Sequence, residues 1–395
     1  MEMSPTVEIA AKSAASPSKR RSLVAACVAH ALHDGYTDGL YAFLPVWQVQ
    51  FGLSYAGLAI VRALYSGTMG GLQMPANRLL RGLSPRAALV LSTLVAAAGF
   101  AIMAAPSGFA GLCVGLVVAG IGSSIQHPRG SLLVTDTYAA SARRPLALYN
   151  FSGDLGKATI PAAVAVLLPL IDWRPVVGML ALLGIGVSLV LLSLAPAKPA
   201  AGLIAAKPVA QGSGSSGFAW LMTIGALDTA TRMGFLLFLP FLVHSRGGTS
   251  ATIGMALALL FIGGAFGKAA CGWLGERLGV VGGVVVTETA TAMLIGASVL
   301  TPLTPLLFLL PVLGVVLNGT STLLYGTVPE LAPRGDTGRA FALFYTGVIG
   351  SGGLAPIAYG AIADHSSQTV GVLAAAATAA FIVPMALRLS ASLKA

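Results

Sequence analysis

Long apolar runs, separated by short segments rich in Gly, Pro, Ser and Arg, recur along almost the whole chain. A helix needs about 20 mostly apolar residues to cross the hydrocarbon core of a membrane. Twelve runs reach that length, so the pattern predicts an all-α membrane protein with twelve transmembrane helices. The predicted helices cover residues 22–47, 53–77, 85–105, 108–136, 145–170, 174–195, 218–243, 250–275, 280–301, 305–328, 338–362 and 369–390.

The longest connection, residues 196–217, lies between the sixth and seventh predicted helices and is rich in Pro, Ala, Gly and Ser. Such a composition is typical of a flexible linker. We therefore expect two six-helix bundles, at 22–195 and 218–390, joined by a cytoplasmic linker. Short cytoplasmic tails are expected at 1–21 and 391–395.

An internal repeat supports this division into halves. Residues 31–45 and 226–240 lie 195 positions apart and share Ala, Leu, Gly, Phe, Leu and Pro at matching positions. The same offset pairs Arg144 with Arg339. Two halves of the same topology are the parallel-repeat plan of secondary transporters, in which the substrate binds between the halves near the middle of the membrane.

Composition excludes a soluble protein. The chain has 395 residues, of which 56% are hydrophobic and 9% charged, and its mean hydropathy is +0.86. Soluble domains carry about 25% charged residues. The net charge of +10 does not indicate nucleic acid, because the basic residues cluster at the predicted helix ends. The three cysteines lie within apolar runs and predict neither a disulfide nor a metal site.

The distribution of basic residues predicts the orientation, because Lys and Arg concentrate on the cytoplasmic side of a membrane protein. Two basic residues, Arg174 and Arg246, fall on one side of the twelve predicted helices. The other side, which carries both termini, holds Lys12, Lys19, Arg20, Arg21, Arg78, Arg81, Arg86, Arg143, Arg144, Lys198, Lys207, Arg277, Arg334, Arg339, Arg388 and Lys394. We therefore expect a multi-pass protein of the cell inner membrane with both termini in the cytoplasm.

A loop motif lies between the eighth and ninth predicted helices. The segment from Gly272 through Glu276 and Arg277 to a glycine reads G-W-L-G-E-R-L-G. It resembles the G-x-L-A-D-R-x-G motif of the major facilitator superfamily, and Asn77 and Arg78 form a weaker copy in the first half. An acid at a helix end can pair with an arginine and with a neighbouring helix N-terminus. The resemblance implies the major facilitator fold over the whole chain, with these five residues as a gate.

A second stretch carries a narrower resemblance. Residues 120–130, G-I-G-S-S-I-Q-H-P-R-G, resemble the G-I-G-S-S-x-x-H-P segment of fosmidomycin-resistance-type exporters, and residues 34–38 and 43–45 resemble the same group. Arg129 departs from the acidic residue expected there. The resemblance implies proton-coupled efflux of a drug or of a small organic or phosphonate-like anion.

Ionisable groups within the predicted helices are the candidate site residues, because such a group costs about 2.5–3.5 kcal/mol at mid-membrane and normally faces a cavity or a partner. In the first helix, His30, Asp34 and Asp38 share one face by i, i+4 spacing, near Tyr41, whereas His33 points about 100° away. The other groups are Arg62, His127, Arg129, Asp154, Lys157, Asp228, Arg232, Lys268 and Glu288. In the superfamily's fold, helices 1, 4, 7 and 10 line the cavity and helices 2, 5, 8 and 11 flank it, which places all of these groups except Glu288 near the transport path.

Structural interpretations compete with functional ones at several of these positions. Asp154 with Lys157, and Asp228 with Arg232, have the spacing of self-neutralising pairs on one helix. The same ambiguity holds for other charged groups. Arg62 could pair with Asp34 or Asp38, and Lys268 could extend to the membrane surface. His127 could stabilise a kink at Pro128, and Glu288 could be a packing contact.

These residues suggest a mechanism. A low dielectric favours the protonated form of a carboxylate, and a nearby cation favours the ionised form. Asp34 or Asp38 would take up a proton and release it as Arg62 approaches, with His30 and His33 as relays. The substrate-binding candidates are Arg62, His127, Arg129, Asp154, Lys157, Asp228, Arg232 and Tyr41.

Other functions stay open at this point. The His and Asp side chains of the first helix supply ligands for a divalent metal, which predicts a metal-ion carrier as an alternative. A non-transporting receptor, an assembly factor and a lipid translocase are possible on the same fold. No phosphate-binding loop or hydrolase triad is present, so we expect no enzyme and no cofactor. The expected partners are a small-molecule substrate, protons and membrane lipid, with the chain acting as a monomer.

Overall fold

The computed structural model describes residues 17–196, 215–333 and 337–393. Within these ranges the chain forms eleven α-helices and a 3-10 turn at Ala139–Ser141. The helices are α1 Pro17–Phe51, α2 Tyr55–Leu79, α3 Pro85–Ala104, α4 Gly108–Tyr138, α5 Arg143–Leu167, α6 Trp173–Leu194, α7 Ser215–His244, α8 Ser250–Leu300, α9 Leu303–Thr327, α10 Thr337–His365 and α11 Gln368–Leu393. The prediction of an all-helical fold is confirmed.

Short polar segments begin several helices through side-chain caps. Ser54 Oγ accepts a hydrogen bond from the backbone N–H of Gly57 at 3.1 Å, and Ser84 Oγ accepts one from Ala87 at 3.1 Å. Thr249 opens α8 with a reciprocal capping box. These bonds satisfy backbone donors that the first turn of a helix leaves free. They fix the helix starts to within a few residues of the predicted ones.

The prediction of twelve separate helices differs from the structure at α8. Its 51 residues replace the predicted helices 250–275 and 280–301 and the loop between them. Only Gly279 leaves the helical conformation, with φ 69° and ψ 171°. This backbone conformation is readily adopted by glycine alone, so one residue makes a kink where a loop was expected. The segments on either side, 250–278 and 280–300, are each as long as a membrane-crossing helix.

Two further predictions meet the limits of the described residues. The predicted N-terminal tail 1–21 and linker 196–217 lie mostly outside them. The described part of each shows that α1 already begins at Pro17 and α7 at Ser215. The final residues of the predicted C-terminal tail 391–395 also lie outside the described part of the chain.

Eight of the described helices contain a stretch long and apolar enough to cross a membrane: α3, α4, α6, α7, α8, α9, α10 and α11. Large apolar side chains are exposed on them, among them Leu182 at 68%, Phe308 at 76% and Leu354 at 69%. Lipid, and not water, is a suitable solvent for such a surface. The chain is therefore a multi-pass membrane protein, and α1, α2 and α5 are the long helices richest in polar groups.

The two halves, α1–α6 and α7–α11, meet where α2 packs against α10 and where α5 packs against α8. Glycines allow both approaches. A Cβ on Gly254 would lie 3.1 Å from the carbonyl oxygen of Pro161, and a Cβ on Gly360 would lie 2.6 Å from the backbone nitrogen of Ala56. These close contacts hold the halves together on two sides and leave a space between them in the middle.

Candidate functional site

A cavity of about 560 Å³ occupies the space between the halves. Its wall is built from α1, α2, α4 and α5 of the first half and from α7, α9 and α10 of the second. This volume lies within the range of about 300–1,000 Å³ typical of small-molecule sites. Of the polar groups predicted from the sequence, the wall contains His30, Asp34, Asp38, Tyr41, Arg62, His127, Lys157 and Arg232.

Asp34 lies at the centre of a cluster on the first-half wall. Its Oδ2 is 3.4 Å from Lys157 Nζ and 3.6 Å from His30 Nε2, and its Oδ1 is 3.8 Å from His127 Nε2. The Tyr149 ring stacks on His30 with a centroid distance of 4.0 Å, which holds the imidazole in place. Lysine keeps its charge near neutral pH whereas histidine titrates there, so Lys157 is the permanent counter-charge of this carboxylate.

Arg62 forms the next part of the wall. Its Nη2 lies 3.9 Å from Asp38 Oδ1, and its guanidinium carbon lies 4.6 Å from the centroid of the Tyr41 ring. The Nε and Nη1 atoms of Arg62 are buried and have no hydrogen-bond partner among the described residues. Unsatisfied buried donors carry a free-energy cost that an acceptor from a ligand would remove.

Arg232 brings a cation from the second half to the same cavity. Its Nε is buried and, within the described part of the chain, has no hydrogen-bond partner. Among the residues that the structure describes, the cavity wall therefore carries three cations, Arg62, Lys157 and Arg232, against two carboxylates, Asp34 and Asp38. With both histidines neutral, this balance leaves a net positive charge that favours an anion.

Asp154 does not form the predicted pair with Lys157 on the same helix. Its two carboxylate oxygens accept hydrogen bonds from Lys268 Nζ of α8, at 2.8 and 2.7 Å. Lys157 instead contacts Asp34 and, at 4.0 Å, Asp38. Neither Asp154 nor Lys268 lines the cavity. Their ion pair lies beside the cavity and joins α5 of the first half to α8 of the second.

His33 points away from the cavity. Its Nδ1 is 2.9 Å from Ser123 Oγ, and its Nε2 is 3.3 Å from Thr93 Oγ1. Ser123 also contacts the Tyr65 hydroxyl at 2.7 Å, and Tyr65 lies 3.1 Å from Thr37 Oγ1. This network joins α1 to α2, α3 and α4, and His33 is fully buried within it behind the wall.

Two predicted substrate-binding residues also lie outside the cavity wall. Arg129 donates a hydrogen bond to the carbonyl oxygen of Leu80 and so joins α4 to the end of α2. Asp228 is buried, with 3% of its surface exposed. The predicted ion pair of Asp228 with Arg232 does not form.

The wall also contains neutral polar residues that sequence reasoning missed, among them Gln73, Ser131, Asn150, Tyr325 and Tyr345. They lie within apolar helices and carry no charge, so the high cost of burying an ion does not distinguish them in the sequence.

Comparisons with known proteins agree with this architecture. A sequence profile of the Major Facilitator Superfamily matches residues 26–220. The first half of the chain, helices α1–α6, therefore belongs to the major facilitator superfamily. The protein is a secondary transporter and not an enzyme, and members of this superfamily bind small-molecule substrates.

Solved structures share the fold of this major facilitator protein over nearly its full length. A bacterial homolog of the human lysosomal transporter Spinster, inward-facing and unoccupied, is 16% identical and covers 96% of this chain and 98% of its own, with a TM-score of 0.72. A POT family transporter in complex with 5-aminolevulinic acid is 13% identical, covers 95% and 97%, and has a TM-score of 0.76. The nucleoside transporter NupG is 13% identical, covers 94% and 99%, and has a TM-score of 0.75. At these identities the likeness concerns the fold alone. A comparison with curated proteins finds no match.

The predicted gate residues of this major facilitator protein lie at one end of the bundle. Asn77 and Arg78 are in the last turn of α2. Gly272, Glu276 and Arg277 lie in α8 just before its kink, with Glu276 exposed and the Arg277 guanidinium carbon 5.5 Å from the centroid of the Trp273 ring. Their role as a gate stays a prediction.

The cavity extends toward the end of the bundle that carries the N-terminus of α1. Its wall reaches Gln73 near the end of α2, Ser131 near the end of α4, and Asn150 and Tyr345 near the starts of α5 and α10. Because successive helices run in opposite directions, all four positions lie toward the same end.

The opposite end is closed by contacts between the halves. Asp364, at the end of α10, accepts hydrogen bonds from the backbone N–H groups of Tyr55 at 2.8 Å and Ala56 at 2.9 Å, at the start of α2. The Tyr55 ring packs against Phe238 and Phe241 of α7, with centroid distances of 5.5 and 5.1 Å. We call these five residues the end latch. Sequence reasoning missed it because its bonds use backbone groups.

Proposed function

We propose that this transporter carries a small organic anion in a proton-coupled, alternating-access cycle. The observation that carries the proposal is the cation-rich cavity between the halves, in which Arg62 and Arg232 face a common space and retain unsatisfied guanidinium donors. An anion that bridges the two guanidinium groups would satisfy donors from both halves at once. Such a ligand would favour conformations in which the halves are close together.

Coupling to protons is supported by the surroundings of Asp34. The carboxylate has Lys157 as counter-charge and the two imidazoles of His30 and His127 within 3.8 Å. If Lys157 moves away as the halves rock, the buried carboxylate loses its counter-charge and binds a proton instead. Asp38, which Lys157 and Arg62 also contact, can take part in the same exchange.

In the proposed cycle, the chain crosses the membrane twelve times, with residues 250–278 and 280–300 each forming one crossing. The excess of basic residues on the side of the α1 N-terminus places that side in the cytoplasm of a cell with an inner membrane. The cavity then faces the cytoplasm and the end latch closes the outer side. Export is the direction that the sequence resemblance to fosmidomycin-resistance-type exporters implies.

A divalent metal is the second candidate substrate, because ligand atoms of His30, Asp34 and His127 lie within 4.8 Å of one another. Lys157 opposes it, since its ammonium group lies 3.4 Å from the same carboxylate and repels a cation. The net positive charge of the cavity acts in the same direction. The anion is therefore the substrate class that the geometry favours.

Transport into proteoliposomes under an imposed pH gradient tests the proposal. Organic anions, zwitterions, lipophilic cations and divalent metals are screened, and the sign of the effective gradient gives the direction. We expect flux of an anion and its loss in Asp34→Asn, whereas the exposed control Asp172→Asn keeps it. Undiminished gradient-driven flux in Asp34→Asn, or flux of metals alone, would contradict the proposal.

A further inference from the structure

The two halves contribute unlike walls to the cavity. Among the residues that the structure describes, the first-half wall holds both carboxylates, two of the three cations and both histidines of the cavity. On the described wall of the second half, Arg232 is the single charged side chain. The remainder of that wall consists mainly of apolar and aromatic side chains and glycines from α7, α9 and α10. A ligand between the halves therefore meets charge on one side and apolar surface on the other.

Part of the apolar surface forms a strip where α2 lies against α10. We define the apolar strip as Met69 of α2 together with Tyr345, Val348 and Ile349 of α10, all of which line the cavity. Gly70 leaves no room for a side chain beside Ile349, so the two helices touch at this level. Tyr345 is 46% exposed, although its ring is large and mostly apolar. Apolar surface that faces an open cavity favours a ligand of the same character, because binding removes that surface from water.

The apolar strip lies between Arg62 and the open end of the cavity. Along α2, Arg62 is close to the end latch, and Met69 and Gln73 follow toward the open end. At a rise of about 1.5 Å per residue, Met69 lies about 10 Å beyond Arg62 and Gln73 about 16 Å beyond it. The α10 helix runs in the opposite direction, since its end contacts the start of α2 at the end latch, so Tyr345 lies toward the open end as well. The cavity is thus charged near its closed end and apolar along one side toward its mouth.

Arg62 is held in a position that suits the head group of a ligand. Its guanidinium carbon lies 4.6 Å and 5.7 Å from the ring centroids of Tyr41 and Tyr65. The side chain is buried, and its Nε and Nη1 atoms lack hydrogen-bond partners among the described residues. An anionic head group would satisfy these donors. Because the end latch closes the cavity beyond Arg62, the rest of such a ligand has room toward the open end.

We propose that the cavity binds an amphipathic anion, with its head group between Arg62 and Arg232 and its apolar body along the apolar strip toward the open end. This inference rests on the proposed function and adds to it the substrate class and the orientation of the substrate. One anionic head group balances the net positive charge of the cavity wall. A second anionic group at the far end of the ligand would lie against apolar surface, where an unpaired charge is costly. The residues of the apolar strip then set the preferred length and polarity of the body.

Binding of a homologous series, from methyl- to octylphosphonate, to the purified full chain in lipid nanodiscs tests this inference. The head group stays constant while the apolar body grows, and empty nanodiscs correct for partition into lipid. Complete burial of one methylene corresponds to about a fourfold gain in affinity, so each added carbon should improve the dissociation constant about two- to fourfold. The octyl compound with a second phosphonate group at its far end should bind more weakly than octylphosphonate.

Met69→Gln and Met74→Gln form a matched pair of variants for the apolar strip. Both replace a methionine of α2 by a polar side chain of similar length, but Met74 is 51% exposed and does not line the cavity. Met69→Gln should reduce the gain in affinity per carbon, whereas Met74→Gln should keep the gain of the wild type. Arg62→Gln should weaken the binding of short and long phosphonates alike, because it removes a contact with the head group.

Equal affinities for methyl- and octylphosphonate in the wild type, or an unchanged gain per carbon in Met69→Gln, would overturn the inference. Alkanols of the same chain lengths separate this outcome from failure of the proposed function. If methylphosphonate binds and longer chains bring no gain, the amphipathic substrate is contradicted and the proposed function stands. If alkanols bind more tightly with length but no phosphonate binds, the proposed anion is contradicted, and this inference fails with it.

Discussion

Replacement of Asp364 by Asn should shift the protein toward conformations in which the end latch is open. The carboxylate accepts two backbone hydrogen bonds, at 2.8 and 2.9 Å, from the first residues of α2 in the other half. Asn keeps one acceptor oxygen but loses the second bond and the charge. A charge at an exposed helix N-terminus contributes about 0.3–1 kcal/mol, and a net hydrogen bond contributes about 0.5–1.5 kcal/mol.

Because the side chain is exposed, the lower parts of these ranges apply, and the loss is about 1 kcal/mol. A free-energy change of 1.4 kcal/mol corresponds to a tenfold change in an equilibrium constant. The fraction of molecules with an open latch should therefore rise about fivefold in Asp364→Asn. Asp364→Ala loses both hydrogen bonds and should give a rise of about 30-fold, for a loss of about 2 kcal/mol.

Alkylation of a reporter cysteine measures this shift. Leu237→Cys is suitable because Leu237 lines the cavity and is 1% exposed. The three native cysteines are first replaced, and a membrane-impermeant maleimide is added from the side of the α2 N-terminus. The rate of labelling then follows the fraction of molecules with an open latch.

Asp172→Asn is the matched control. Asp172 also precedes a helix, α6, but its side chain makes no cap hydrogen bond, so its replacement removes a similar charge without breaking a contact between the halves. Equal labelling rates in the wild type, Asp364→Asn and Asp364→Ala would refute the latch. A rise in Asp172→Asn as large as that in Asp364→Asn would show that general electrostatics, and not the latch, sets the rate.

Three further predictions concern other contacts. Lys268→Met leaves Asp154 buried without its partner and should lower the free energy of unfolding by about 1–3 kcal/mol, less than for a fully buried pair because Lys268 is partly exposed. Thermal unfolding in detergent should show that adding Asp154→Asn restores part of this loss. A purely additive loss in the double variant would contradict the pairing. Gly279→Ala forces a side chain into a backbone conformation that suits glycine and should lower the free energy of unfolding by about 1–3 kcal/mol. The same unfolding assay measures this loss, and an unchanged midpoint would argue against the kink. Arg62→Gln and Arg232→Gln should each weaken anion affinity by about 10–100-fold, since hydrogen bonds to charged groups contribute about 1.5–3 kcal/mol. In competition binding, a variant with the affinity of the wild type would exclude its side chain from the site.

The helices could be predicted from the sequence because a membrane imposes one length scale on every crossing. The exception is α8, where a loop was expected around Gly279. A sequence shows that glycine is present, but the backbone angles that let one residue replace a loop depend on how the flanking segments pack.

Much of the cavity wall could also be predicted, because charged groups within membrane-spanning helices normally face a cavity or a partner. Asp34, Asp38 and Arg62 were expected there on this ground, and the structure brings them together. Helical spacing also predicts that His33 turns about 100° away from these side chains, and the structure agrees. His33 lies near the others along α1, yet it packs against Ser123 and Thr93 behind the wall.

The partners of the charges were the least predictable part. Helical spacing suggested that Asp154 pairs with Lys157, but spacing within one helix carries no information on the neighbouring helix. The structure pairs Asp154 with Lys268 across the halves. This contact joins residues that are far apart in the sequence and close only in the folded bundle.

In the proposed function, an anion and a proton share one cycle through the cavity between the halves. The most direct measurement adds the anion identified in the flux screen to proteoliposomes that enclose a pH-sensitive dye, with no pH gradient imposed. The anion should drive protons across the membrane in the wild-type protein, and Asp34→Asn should abolish this movement. Anion flux with no movement of protons in the wild type, or equal proton movement in Asp34→Asn, would contradict it.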